Sequence, residues 1–191
     1  MTGTIETDGH IPWRMLGWSA AALVLVLPLV AMQLTDAVNW NAGDFVFAGT
    51  LILAVGVPLE LVARKTDDRQ YRAGAAIALA AALLLLWING AVGITDSPAD
   101  MWLLLVPAVA VAVVGAFLAR FRPAGLALAM FAATFTQVAI AVVALVAGMV
   151  PAFNSPLEIV GINGFFVALF AVSGLLFRKA ATGFRAKGGE E

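Results

Sequence analysis

The chain has 191 residues, 62% of them apolar and 12% charged, with a net charge of −1 and no cysteine. A soluble domain carries about 45–50% apolar and about 25% charged residues, and a globule of this size cannot hide so much apolar surface from water, so the chain needs lipid around it. The missing cysteines exclude disulfides, thiolate metal sites and cysteine nucleophiles.

A helix needs roughly 20 mostly apolar residues to cross a bilayer. Six segments qualify, at about 15–34, 44–63, 73–94, 101–119, 124–146 and 157–177. Helices are the expected form, because lipid offers the backbone no other partner and the alternation of a barrel strand is absent. The predicted fold is therefore all-α, a single integral-membrane bundle of six helices spanning residues 1–191.

Residues 1–13 read as a mobile N-terminal tail with the sole histidine, His10. Two acids precede the first span and its apolar run is long, so a retained helix is expected rather than a cleaved signal peptide. The connection TDAVNWNAGD follows, with Asp36, Asn39, Asn41 and Asp44; a carboxylate at Asp44 suits the opening of the second helix. Glu60 is the one acid within a span, four residues before Arg64, the favourable order for a helix pair.

The third span carries a small-residue stripe, Gly74, Ala78, Ala82, then Asn89 and Gly93, which predicts Asn89 inside the bundle and Trp87 toward lipid. TDSPAD, with Asp96 and Asp100, leads to the fourth span, where Ala108, Ala112 and Ala116 recur every four residues. The fifth has Gly125, Ala129, Ala132 and Thr136, with Gln137 beside them. VPAFNSPLE, ending in Glu158, leads to the sixth, which holds Asn163. Residues 178–191 form a basic, then acidic tail. Pro28, Pro58 and Pro107 lie within spans and are expected to kink them.

Every lysine and arginine falls in the N-terminal tail, the loops after the second and fourth spans, or the C-terminal tail. That is the positive-inside pattern, and it predicts both termini in the cytoplasm. Trp40, Trp87 and Trp102 near the outer boundary and Trp13 and Trp18 near the inner one suit two aromatic belts.

The candidate polar site consists of Asn89, Gln137, Asn163, Asn39 and Asn41, with an outer acidic rim of Asp36, Asp44, Asp96, Asp100 and Glu158. Such groups can line a pocket open to the periplasmic face, and carboxylates there attract cations or a basic partner. The plainer reading is interhelical hydrogen bonding for the amides and ordinary solvated loops for the acids; it takes precedence for each residue singly. No catalytic residue, metal site or cofactor is expected: HExxH, GxSxG and Walker motifs are absent, and one histidine cannot build a zinc or haem site. The expected partners are the bilayer and either a membrane protein or a second copy of the chain, with no nucleic acid.

The runs NWNAGDF, ELVAR (60–64), YRAG (71–74) and WINGAVGI (87–94) resemble a group of small polytopic bacterial inner-membrane proteins without established activity, over about the first two-thirds of the chain. The resemblance implies a bacterial cytoplasmic-membrane location. Six spans in so short a chain also look like the substrate-binding subunits of energy-coupling vitamin transporters, in size and helix count alone. Two functions follow as expectations. The first is a non-enzymatic accessory or interaction subunit of a membrane complex. The alternative is a small-molecule binding or transport protein with a polar site at the periplasmic face.

Overall fold

The computed structural model describes residues 13–92, 98–147 and 156–187. These form six helices: α1 (Trp13–Leu34), α2 (Ala42–Lys65), α3 (Arg69–Val92), α4 (Pro98–Leu118), α5 (Pro123–Val146) and α6 (Pro156–Lys187). Among the described residues there is no strand. Five helices are long and apolar enough to cross a membrane; the part of α4 in which side chains are described, Val106–Leu118, is apolar but shorter. The protein is thus a multi-pass helical membrane protein.

The chain divides into two compact units, Met1–Glu60 and Leu61–Glu191. In the first, Trp18 of α1 lies against Gly56 of α2, where an added Cβ would come within 2.9 Å of the indole. No residue in the apolar window of α1 is fully buried in protein, and Ala21, Leu25, Pro28 and Met32 on one side are half-buried, as in a helix that meets protein on one face and lipid on the rest. Asn41 caps α2: its Oδ1 accepts from the Gly43 N–H at 2.7 Å and the Asp44 N–H at 3.3 Å. Asp44 reciprocates, its Oδ2 accepting from the Asn41 N–H at 2.8 Å. This is a capping box, satisfying N–H groups that the first turn leaves without helical partners.

In the second unit α5 packs between α4 and α6, and α3 packs on α6 with a smaller contact to α4. Phe166, Phe170 and Phe177 recur on one face of α6 and sink into a core with Ala81, Leu85, Met130 and Ala133. Small residues make room for aromatic rings in both directions, on α6 for a ring of α5 and on α3 for a ring of α6. Gly174 faces Phe131, with space for a Cβ only 3.0 Å from the ring, and Gly74 faces Phe177. Ala108 and Ala112 are buried and Ala116 packs on the core, so the four-residue alanine repeat is a packing face. On α3 the buried positions among the described residues are Gly74, Ala75, Ala81 and Leu85, with Ala78 and Ala82 half-buried, while Trp87 is 36% exposed.

The α2–α3 connection is three residues long and tightly bonded. Asp68 caps α3, its Oδ1 accepting from the Tyr71 N–H at 2.9 Å, and so α3 starts four residues before the apolar span. Arg72 closes the end of α2 by donating to the carbonyls of Thr66 (2.6 Å) and Ala63 (2.8 Å) and to Asp67 Oδ1 (2.8 Å). A cation at the negative end of a helix dipole is favourable, and these carbonyls have no partner within α2.

At the far end α6 continues to Lys187, ten residues past the expected end of the sixth span. Its 32 residues measure about 48 Å, well beyond the roughly 30 Å of hydrocarbon. The charge at Arg178 ends the apolar stretch but not the helix, because the residues that follow are mostly good helix formers without proline. Pro28, Pro58 and Pro107 lie inside α1, α2 and α4, each of which continues past its proline.

Candidate functional site

Polar groups inside an apolar bundle are the places where chemistry or binding can reside. Gln137 stands about 21 Å along α5 from Pro123, on the same face as Met130 and Ala133, and is 2% exposed. Its Nε2 donates to Asn163 Oδ1 of α6 at 2.7 Å. Its other amide atom, Oε1, is buried and accepts no hydrogen bond among the described residues. An orphaned buried carbonyl costs about 1–3 kcal/mol, so this atom favours any donor that reaches it.

A second buried polar contact lies between α6 and α3. Ser173, 0% exposed, donates from Oγ to the Gly74 carbonyl at 2.8 Å. Sequence reasoning passed over Ser173, which reads there as one more small residue beside Gly174; its signal is a hydroxyl on the face that carries Phe166, Phe170 and Phe177. A third contact ties the helix ends: Tyr71 donates from its hydroxyl to the Phe121 carbonyl at 2.9 Å, and its ring meets Phe177 edge to face at 5.2 Å.

The expected polar site is distributed as follows. Gln137 and Asn163 come together between α5 and α6. Asn39 and Asn41 belong to the first unit, Asn39 exposed and Asn41 engaged in capping α2. Asn89 lies in α3, four residues after Leu85. Of the acidic rim, Asp36 is exposed after α1 and Asp44 is the carboxylate of the capping box. Asp100 lies in the first turn of α4 and Glu158 in the first turn of α6. Asp96 and the side chains of Asn89, Asp100 and Glu158 lie outside the described residues. Glu60 and Arg64 sit in α2 at the expected spacing. Among the described residues no group of three or more histidines or carboxylates is placed to hold a metal ion.

Chemically, these contacts tie helices together. The Gln137–Asn163 bond joins α5 to α6 and the Ser173–Gly74 bond joins α6 to α3, each between neutral groups in an apolar surrounding. No protein-family model, curated protein or solved structure matches the chain.

Proposed function

We propose that this chain is a non-enzymatic protein of a bacterial cytoplasmic membrane, with both termini cytoplasmic, acting as an accessory or interaction subunit of a membrane complex. Its partner is another membrane protein or a second copy of the chain. The observation that carries the reading is how the candidate polar groups are used. Gln137 is bonded to Asn163, and Asn41 and Asp44 to each other's backbone, so they serve the fold. Further support comes from large apolar side chains exposed over about two thirds of the circumference of α1 and along the outer faces of α4 and α5, surface that lipid or another helix must cover. The one-sided lysines and arginines support the orientation, and the resemblance to small bacterial inner-membrane proteins supports the location. Cross-linking in cells followed by extraction in mild detergent tests the reading. A stoichiometric partner or a covalent dimer is expected, and an uncross-linked monomer under all conditions would overturn it.

A second reading, a small-molecule binding or transport protein, is favoured by one observation: the unpartnered Oε1 of Gln137 in the core of the second unit. It expects Gln137→Leu to abolish binding or uptake while the fold survives.

A further inference from the structure

Outside the core of the second unit, an apolar groove of about 620 Å³ runs along the seam of α4 and α5. The backbone packs closely beneath it: a Cβ on Gly115 of α4 would meet Ala129 Cβ of α5 at 2.6 Å, and one on Gly125 of α5 would meet Ala119 Cβ in the turn after α4 at 2.5 Å. Leu118 and Leu128, 80% and 74% exposed, stand up as its walls. Along α4 the groove extends from Ala110 to Leu118, with Ala119 in the turn just beyond, and along α5 from Ala132 back to Gly125. These helical walls rise about 12 Å and about 10 Å, against about 15 Å for half of a roughly 30 Å hydrocarbon core. The groove therefore spans most of one leaflet, and its lining carries only aliphatic side chains and glycine.

One end of the groove is the α4–α5 turn, with exposed Arg120 and Arg122 and no acidic residue between Ala119 and Pro123. Neither arginine side chain has an ion-pair or hydrogen-bond partner among the described residues. The turn holds Arg120 and Phe121 at φ of 50° and 58°. This left-handed region costs a residue other than glycine roughly 1–2 kcal/mol. The Tyr71 hydroxyl bonded to the Phe121 carbonyl helps to hold it. The Tyr71–Phe177 contact brings exposed Arg178 and Lys179 to the same end of the unit, which makes that end positive.

From the fit of length, apolarity and charge, we infer that the α4–α5 groove binds one acyl chain of an anionic phospholipid, whose phosphate is held by Arg120 and Arg122. A neighbouring helix would fill the groove without using the two arginines, and a free anion would use the arginines without the groove. This site does not depend on the proposed interaction role.

The test uses the full chain in mild detergent, titrated with phosphatidylglycerol or phosphatidylcholine of identical acyl chains and followed by native mass spectrometry. At roughly fivefold per basic side chain near a lipid surface, two arginines give a preference of about 25-fold for phosphatidylglycerol, which salt weakens. Arg120→Gln with Arg122→Gln should reduce the preference to about twofold or less by the same arithmetic. Ala110→Phe and Ala132→Phe, from exposed positions on the two helices, should weaken both lipids alike while circular dichroism stays unchanged. Glycerol phosphate should not displace the lipid. A charge variant that keeps the preference, folded groove variants that bind lipid as the wild type does, or displacement by glycerol phosphate would each overturn the inference.

Discussion

Gln137 of α5 donates a 2.7 Å hydrogen bond to Asn163 of α6, within an otherwise apolar core, and keeps its own carbonyl oxygen buried without a donor among the described residues. One half of the amide stabilises the helix pair and the other half weighs against it. Interhelical hydrogen bonds in membranes average about 0.6 kcal/mol and reach about 1.7, so only the strongest offset the about 1–3 kcal/mol cost of the orphaned oxygen.

A double-mutant cycle separates the two halves. Gln137→Leu removes the bond and the orphan together, whereas Asn163→Leu leaves both ends of Gln137 buried without this partner. Asn163→Leu should therefore cost more, about 1–3 kcal/mol. The double replacement should be less destabilised than the sum of the singles by about 0.6–1.7 kcal/mol. Reversible unfolding in bicelles measures this; strict additivity would show that the pair is not coupled.

The α4–α5 seam gives a second expectation. Gly115→Ala places a methyl 2.6 Å from the Ala129 Cβ of the facing helix, and Gly125→Ala places one 2.5 Å from the Ala119 Cβ just past the end of α4. Overpacking of this kind costs about 1–3 kcal/mol. Gly49→Ala and Gly161→Ala meet nothing within 4 Å and should be neutral or stabilising by up to about 1 kcal/mol. Thermal denaturation in one detergent ranks all four, and equal effects at the two pairs would contradict the packing described.

Arg72 supplies a third. Arg72→Ala frees the carbonyls of Ala63 and Thr66 and should cost about 1–2 kcal/mol. Lysine cannot reproduce the planar fork and should rescue little. Asp67→Asn should be almost silent, within about 0.5 kcal/mol, because its carboxylate is fully solvent-exposed. A large effect of Asp67→Asn with a small one of Arg72→Ala would reverse this assignment.

The capping box supplies a fourth. Asn41→Ala should cost about 0.5–2 kcal/mol and Asn41→Ser much less, while Asn39→Ala, at an exposed position, should change nothing measurable. Helicity and melting temperature report both. If Asn39→Ala and Asn41→Ala instead impaired a transport activity equally with stability intact, the pair would belong to a site.

Much of the architecture was legible because the bilayer imposes it. Runs of about 20 apolar residues have one structural outcome in lipid, so the helices appear where hydropathy places them. Even the alanine repeat of α4 emerged as a packing face. The helix extensions were less legible: Asp68 and Arg72 start α3 outside the apolar run, and α6 outlasts its own hydrophobicity through helix propensity. The candidate site was legible in residue type but not in pairing. An amide in a span announces a need for a partner, yet only the packing of α5 on α6 brings Gln137 to Asn163. Ser173 was invisible because serine passes for small filler. The groove was invisible because Gly125, Ala129 and Ala132 read as one stripe, whereas Ala129 is buried beneath it and Ala132 stands exposed at its rim.

Orientation gives a fifth expectation. Single cysteines at Asn41, Ser97 and Ser155 should react with an impermeant maleimide added outside spheroplasts, and one at Thr66 should react only after lysis. Labelling of Thr66 from outside would invert the proposed topology.

The most direct test replaces both core amides at once. Gln137→Leu/Asn163→Leu keeps the shape of the helix pair and removes its polar groups. Expressed from its own locus, cross-linked and gently extracted, the double variant should recover the same stoichiometric partner or dimer as the wild type. Wild-type protein that carries a bound small molecule, with that molecule lost from a folded double variant, would instead identify the pair as a binding site.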